Sequence, residues 1–280
     1  MDDINEAVKN GHLDILMDFH KKYKNKCPWN KETCCIAAEN GHLECLKYLH
    51  ENKCPWCQYT CYYAAKNGHL KCLKYAHENG CRWFIETCIK AAENGHLDCL
   101  KYAHENGCPW NKWTCYNAAQ KGHLQCLKYA HKNGCDWSIE TCSTAAYNGH
   151  IECLKYLHEN ECPWTKVTCY YAAQNGHLEC LKYAHENGCP WSTDTLSGAA
   201  KNGHLECLKY AYENRFPYPK EVLPTIVKKI LIPKWRASVK SRFIIFYWME
   251  RSAQSSCAEN GRARIEDINS FENDFNNLIV

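Results

Sequence analysis

One stretch of this chain concentrates residues that could ligate a metal ion or react as thiols. It contains His50, Cys54, Cys57 and Cys61, and with them the one Cys-x-x-Cys spacing of the sequence. Zinc takes four tetrahedral ligands of these types. A thiol at a helix N-terminus, the predicted place of Cys57, is acidified and reactive. A zinc or dithiol site is therefore one interpretation of this stretch, and a set of structural core residues is the other.

The remaining cysteines favour the structural interpretation. The chain has 23 cysteines, and most of them recur at a fixed spacing in three columns. The columns are Cys34, Cys61, Cys88, Cys115, Cys142 and Cys169; Cys45, Cys72, Cys99, Cys126, Cys153, Cys180 and Cys207; and Cys27, Cys54, Cys81, Cys108, Cys135, Cys162 and Cys189. Equivalent residues of stacked helices lie roughly 8–10 Å apart, whereas the Cα atoms of a disulfide need about 4.4–6.8 Å. We therefore expect reduced cysteines that fill a core, with no metal and no cofactor.

The histidines recur in the same way. Of the 15 histidines, all except His20 fall into two columns, one that follows a glycine, as His42 does, and one that contains His50. A catalytic base repeated in every unit would have no use, so we expect a structural role for both columns. No carboxylate pair, phosphate-binding loop or activated nucleophile stands out. The sequence predicts a protein without enzymatic activity.

The motif that sets these columns is Gly-His-Leu, which repeats every 27 residues. Its glycines are Gly41, Gly68, Gly95, Gly122, Gly149, Gly176 and Gly203, and an irregular copy begins at Gly11, 30 residues before the next. A fixed period of this length indicates a repeat array, in which each unit buries its apolar face against its neighbours.

Each repeat predicts two helices, which we call helix A and helix B. In the first regular copy helix A covers residues 33–39, after Asn30 as N-cap, and ends at Asn40-Gly41. Helix B covers residues 42–52 and presents leucines and a cysteine on one face and charges on the other. A turn with tryptophan follows each helix B and is expected to seal the edge between units.

The sequence Ala-Ala-x-Asn-Gly-His of residues 37–42, and the segment of residues 68–80, resemble the ankyrin repeat glycine for glycine. The resemblance covers residues 1–215 and implies an all-α fold, an α-solenoid of about eight stacked helix-turn-helix repeats whose first copy is an irregular cap. The period is 27 rather than about 33 residues, so we expect the hairpin fingers of the family to be missing. Short repeats of this style are most similar to the ankyrin-like arrays encoded by large DNA viruses of protists.

The resemblance also implies that helix A lines a concave wall. The four helix A columns that begin at Glu32, Cys35, Ile36 and Glu39 vary between copies and are rich in Tyr and Trp, the residue types favoured at interface hot spots. From these columns we predict the partner-binding residues Tyr59, Tyr62, Tyr63, Trp113, Tyr116, Tyr147, Tyr170 and Tyr171. The alternative is that these rings only pack against the adjacent helix A.

The expected function is that of a non-catalytic protein–protein interaction module. The expected partner is an unidentified host or cellular protein, and we expect a monomer with no small-molecule substrate and no membrane partner. The net charge of +3 is too mild to predict general attraction to nucleic acid. No signal peptide or membrane span is visible, since the longest apolar run, residues 243–249, is far shorter than the ~20 residues of a span. We therefore expect an intracellular protein of the cytoplasm or nucleus.

Two alternatives concern the C-terminal extension, residues 216–280, which is expected to be a helical cap. Residues 219–227 resemble the opening of an F-box, which would make the protein a substrate-recruiting adaptor of a ubiquitin ligase. Lysines and arginines of residues 228–242 form a basic cluster that would suit a nucleic-acid binder.

Overall fold

The computed structural model describes residues 2–23 and 27–214. Within these ranges all regular secondary structure is α-helical, and the helices follow one another as eight pairs. The predicted all-α repeat solenoid is therefore confirmed. The extension of residues 216–280, with its F-box-like segment and its basic cluster, lies outside the described residues.

The sixteen helices alternate between helix A and helix B. The A helices are α1 (Asp2–Lys9), α3 (Lys31–Glu39), α5 (Gln58–Lys66), α7 (Thr87–Glu93), α9 (Lys112–Lys121), α11 (Glu140–Tyr147), α13 (Lys166–Gln174) and α15 (Thr193–Asn202). The B helices are α2 (Leu13–Tyr23), α4 (Leu43–Glu51), α6 (Leu70–Glu78), α8 (Leu97–Glu105), α10 (Leu124–Lys132), α12 (Ile151–Glu159), α14 (Leu178–Glu186) and α16 (Leu205–Glu213).

Side chains at the ends of helix A explain where it starts and stops. The Asn30 side chain accepts hydrogen bonds from the backbone N–H groups of Glu32 and Thr33, which satisfies free donors of the first turn. At the other end Gly41 has a φ of +76°, and the His42 N–H donates to the Ala37 carbonyl at 2.9 Å. This left-handed glycine closes the helix as predicted and turns the chain into helix B.

Helix B ends at an asparagine followed by a second left-handed residue. In most copies that residue is glycine, but Lys53 and Glu161 occupy it with φ values of +62° and +64°. The structure therefore keeps the left-handed geometry even where a side chain opposes it, at a cost of about 1 kcal/mol per site.

The core consists of the same columns in every repeat. On the A helices from α3 to α13 it takes one cysteine and two alanines, such as Cys34, Ala37 and Ala38, all fully buried, whereas Ile4 in α1 and Leu196 in α15 stand in the place of the cysteine. On helix B it takes Cys45 and Leu46 and their equivalents. Because alanine and cysteine are small, neighbouring A helices pack closely, and they share more contact with each other than neighbouring B helices do.

No helix in the described ranges is long and apolar enough to cross a membrane. The longest helix among the described residues, α2, has 11 residues, against the ~20 residues that a bilayer requires.

Candidate binding surface on the A helices

The structure does not bring the predicted metal or dithiol residues together. The His50 ring stacks on Trp56 at 3.9 Å between ring centroids, and its Nδ1 lies 3.1 Å from the Tyr75 hydroxyl. The Cys54 thiol instead donates to the Asn30 carbonyl at 3.2 Å. Across residues 2–23 and 27–214, no three His, Cys, Asp or Glu side chains are grouped so that they could hold a metal ion.

The cysteine columns meet in a way that the sequence argument missed. All 22 described cysteines are free thiols. Cys34 nevertheless lies against Cys54 of another column, and a hydrogen bond with that thiol, together with burial, raises the pKa of Cys34. The same contact recurs between Cys61 and Cys81 and in four further copies. The repeat period relates only cysteines of one column, so these pairs between columns could not be predicted from it.

The column of His50 joins each repeat to the next, and His20, which lies outside that column in the sequence, makes the equivalent contacts. Each member contacts the tryptophan of the following turn and the tyrosine hydroxyl of the next helix B, with Nδ1 to hydroxyl distances of 2.8–3.1 Å. The sets are His20, Trp29 and Tyr48; His50, Trp56 and Tyr75; His77, Trp83 and Tyr102; His104, Trp110 and Tyr129; His131, Trp137 and Tyr156; His158, Trp164 and Tyr183; and His185, Trp191 and Tyr210. These contacts give the column a structural role, and the tryptophans lie between units as expected.

The histidine column that follows glycine also bridges repeats. The Nε2 atom of His69 lies 3.0 Å from the Glu39 carbonyl of the previous repeat. Its ring covers Gly41, where an added Cβ would come to 2.5 Å from Nδ1. Both histidine columns are thus engaged in holding neighbouring repeats together.

The eight predicted partner-binding residues fall into three aromatic groups along the A helices. In the first group Tyr62 contacts Tyr59 and Tyr63, at 6.0 and 5.1 Å between ring centroids. Phe84, which the sequence argument did not select, completes this group at 4.9 Å from Tyr59. It stands at the N-cap column of the next repeat, where the other copies have small polar residues or cysteine.

The second and third groups lie in later repeats. Trp113 contacts Tyr116 at 5.2 Å in an edge-to-face arrangement. Tyr171 contacts Tyr147 of the previous repeat at 5.3 Å and Tyr170 of its own helix at 5.5 Å. Such pairs hold the rings in fixed orientations, which reduces the entropy that binding would cost.

Exposure separates these residues into two classes. Tyr59, Trp113 and Tyr147 are 42%, 45% and 44% exposed, whereas the other five are half-buried. Packing against neighbouring side chains therefore accounts for part of the role of the half-buried rings. It does not account for the three exposed rings, whose large apolar faces contact solvent.

An exposed apolar row runs along the starts of the A helices. It consists of Tyr59, Ile85, Trp113, Ile139 and Val167, one from each of five successive repeats. Val167 stands in a variable column but was not among the eight predicted residues, and the isoleucines were not predicted because they stand one column before that position. A search for exposed apolar residues across two adjacent columns would have found them. We call this row and the eight predicted aromatic residues the helix A surface.

Charged residues of alternating sign flank the apolar row. Glu86, Lys112, Glu140 and Lys166 are all exposed, and each stands next in sequence to a member of the row. Lys112 extends over the Trp113 ring, with Nζ at 5.5 Å from its centroid. The helix A surface therefore offers apolar contact area with charges of both signs at its edge, and no concentrated charge of one sign.

A cleft of about 780 Å³ lies in the first repeats of the array, lined by residues of α1, of α3 and of the turn that follows α5. Polar groups of Glu6, Lys9, Glu39 and Asn67 contribute to its lining together with Ile36. His69 also lines the cleft, and its Nε2 atom lies 3.0 Å from the Glu39 carbonyl.

Comparison with known proteins gives matches over most of the described residues. A family model described as "Ankyrin repeats (3 copies)" matches residues 4–87, 115–194 and 142–219. A second model, "Ankyrin repeats (many copies)", matches residues 88–131. Among solved structures, the crystal structure of the human ASB11 ankyrin repeat domain is 21% identical, with a TM-score of 0.48, over 56% of this chain and 84% of that chain. A search of curated proteins found no match.

Proposed function

This chain belongs to the ankyrin-repeat family, and on that basis we propose that it is an interaction module that binds another protein through the helix A surface. We place that surface on the concave wall of the array. The proposed module has no catalytic role of its own. Its partner presents apolar side chains to the row of Tyr59, Ile85, Trp113, Ile139 and Val167.

The observation that carries this proposal is the contrast between the two faces of helix A. The face that contains Cys34, Ala37 and Ala38 is buried and almost identical in every copy. The opposite face differs from copy to copy and keeps large aromatic and aliphatic side chains in solvent. Exposed apolar area of this kind is typical of protein-binding sites, and Tyr and Trp supply much of the binding energy in such sites.

The short repeat period supports a more specific proposal about the type of ankyrin array and about its partner. The repeats are joined with 27-residue spacing, so helix A itself, with the turn before it, is the part of each unit left to contact a partner. We propose that the array is of the short type encoded by large DNA viruses of protists, and that its partner is a host protein.

The function is tested by capture of partners from the native cells with two variants of the full chain. Trp113→Ala combined with Tyr147→Ala removes two exposed rings of the helix A surface. Gln125→Ala combined with Lys132→Ala removes two exposed side chains of α10, a B helix, and serves as the matched control. Circular dichroism confirms that both variants are folded.

We expect the control variant to capture the same proteins as the unaltered chain, quantified by mass spectrometry, and the helix A variant to lose at least about tenfold of the specific partner, which corresponds to about 1.4 kcal/mol. Equal capture by all three proteins would place the binding site elsewhere. Loss with the α10 variant alone would assign it to the B helices.

A further inference from the structure

Two of the described cysteines, Cys35 and Cys57, belong to none of the three cysteine columns. They are 22 residues apart in sequence and lie on different repeats, yet their sulfur atoms are 4.0 Å apart. No other repeat has a cysteine at either of these two positions. The pair is thus a local feature of α3 and α5, and the requirements of the repeat do not explain it.

The two thiols have different surroundings. Cys57 is partly exposed and is the N-cap residue of α5, a nine-residue helix, where its side chain makes no capping hydrogen bond. Cys35 is on α3, is only 7% exposed, and also contacts the Thr60 hydroxyl at 3.7 Å. Cys57 is therefore the thiol that a dissolved reagent reaches first.

We propose that Cys35 and Cys57 form a thiol site that low-molecular-weight disulfides oxidise to an intramolecular disulfide. This site is independent of the proposed binding function. Its sulfur atoms, 4.0 Å apart, need to approach by about 2 Å to reach the S–S bond length.

The surroundings of the two thiols assign the order of the steps. Cys57, the more exposed of the two thiols, gives its proton to water and attacks one sulfur of the low-molecular-weight disulfide, which releases the other sulfur as a thiolate. Cys35 then gives its proton to the released thiolate and attacks the Cys57 sulfur, expelling the second small thiol. In total, two protein thiols lose two hydrogen atoms and one small disulfide becomes two thiols.

Burial keeps Cys35 from reacting on its own. Burial is the main cause that raises the pKa of Cys35 to about 12. The hydrogen bond with Thr60 lowers this pKa, and the neighbouring Cys57 thiol raises it. Cys35 therefore stays protonated and unreactive toward dissolved disulfides. It reacts as the second thiol because it is already held against Cys57.

Cys54, which forms the Cys-x-x-Cys motif with Cys57, is not the disulfide partner of Cys57. The Cys54 thiol is buried and directed at the Asn30 carbonyl, 3.2 Å away. Cys54 also belongs to a core column and lies against Cys34. The structure thus selects Cys35, which the spacing in the sequence did not suggest.

The site adjoins the first aromatic group of the helix A surface. Cys57 precedes Tyr59, a member of this group, by two residues, and the Cys35 thiol contacts the hydroxyl of Thr60, the residue after Tyr59, at 3.7 Å. A disulfide here would link α3 to the start of α5 beside this group.

The test treats the full-length chain with oxidised glutathione and maps the products by mass spectrometry without reduction. A background of Cys27→Ala and Cys257→Ser removes the other partly exposed described thiol and a cysteine outside the described residues. We expect the intact protein to lose two hydrogen atoms, and a digest to contain the Cys35 peptide linked to the Cys57 peptide.

Three variants assign the roles. The Cys35→Ser variant introduces the residue that the equivalent position has at Ser143 and Ser197 in other copies. In this variant the reaction should stop at a stable glutathione adduct on Cys57. The Cys57→Asn variant introduces the residue that the equivalent position has at Asn30 and Asn111. In this variant Cys35 should remain unmodified. Cys54→Ala should still form the link, and circular dichroism verifies that each variant is folded.

A link between Cys54 and Cys57, a glutathione adduct that persists on Cys57 when Cys35 is present, or an unreactive Cys57 would each overturn the proposal. None of these results would bear on partner binding, which is measured separately by capture. The two proposals can therefore fail independently.

Discussion

At the scale of single residues, two glycine columns share a backbone conformation and differ in their surroundings. Gly95, between helix A and helix B, and Gly107, after helix B, have φ values of +76° and +79°. A Cβ at Gly95 would come to 2.5 Å from Nδ1 of His123, whereas a Cβ at Gly107 would meet nothing within 4 Å. The Gly-His motif is therefore a contact between neighbouring repeats as well as a turn signal.

The glycine pair gives the first prediction. Gly107→Ala should lower the free energy of unfolding by about 1 kcal/mol, the cost of a left-handed alanine. Gly95→Ala should lower it by roughly 2–4 kcal/mol, because the histidine must also move. Urea unfolding measures both. His123→Ala should recover part of the loss in the Gly95→Ala protein, and equal costs at the two glycines would contradict the steric argument.

At the scale of the helices, two tryptophans three residues apart have different roles. Trp110, in the turn before α9, stacks on His104 at 3.7 Å with an angle of 12° between the rings, and contacts Tyr129 at 6.1 Å. It joins α8 to α10. Trp113, on the first turn of α9, is exposed on the helix A surface.

The second prediction compares these tryptophans. Trp110→Ala should lower the free energy of unfolding by about 3 kcal/mol, because it removes a large aromatic contact between two repeats. Trp113→Ala should change it by less than about 1 kcal/mol, while it weakens partner capture. Urea unfolding of both variants provides the comparison. If Trp113→Ala proved the more destabilising, its ring would be part of the core and not of a binding surface.

At the scale of the whole array, four half-buried histidines make stability depend on pH. Burial is the largest cause of the lowered pKa values of His96, His131, His150 and His177. An unfolded histidine has a pKa of about 6.5. Below that value the unfolded chain binds more protons than the folded one, so the stability present above it is lost as pH falls through the folded pKa values.

The third prediction is that the array loses stability at mildly acidic pH. The urea midpoint should fall between about pH 7.5 and about pH 5.5, and should change little between about pH 7 and about pH 8, where these histidines are neutral in both states. His131→Gln should reduce the dependence. A midpoint that stayed constant or rose on acidification would show that the histidines are not held in their neutral form.

The sequence by itself determined the repeat, the two helices of each unit and the identity of the core. The helices depend on residues close together in the sequence, and the core of each unit depends only on contact with neighbouring units of the same kind. The period assigns every repeat the same environment, so the burial of Cys34, Ala37 and Ala38 in one copy holds for all of them. The end of helix A at Asn40-Gly41 also follows from local backbone preference.

The tertiary structure alone decided which side chains of different columns meet. The distance along the chain does not specify the offset between stacked units, and that offset brings the His50 ring to the Tyr75 hydroxyl and the Cys35 thiol to Cys57. The spacing instead suggested Cys54 as the thiol partner of Cys57. The exposure of individual rings, which separates Trp113 from the half-buried Tyr116, likewise depends on how closely neighbouring A helices pack.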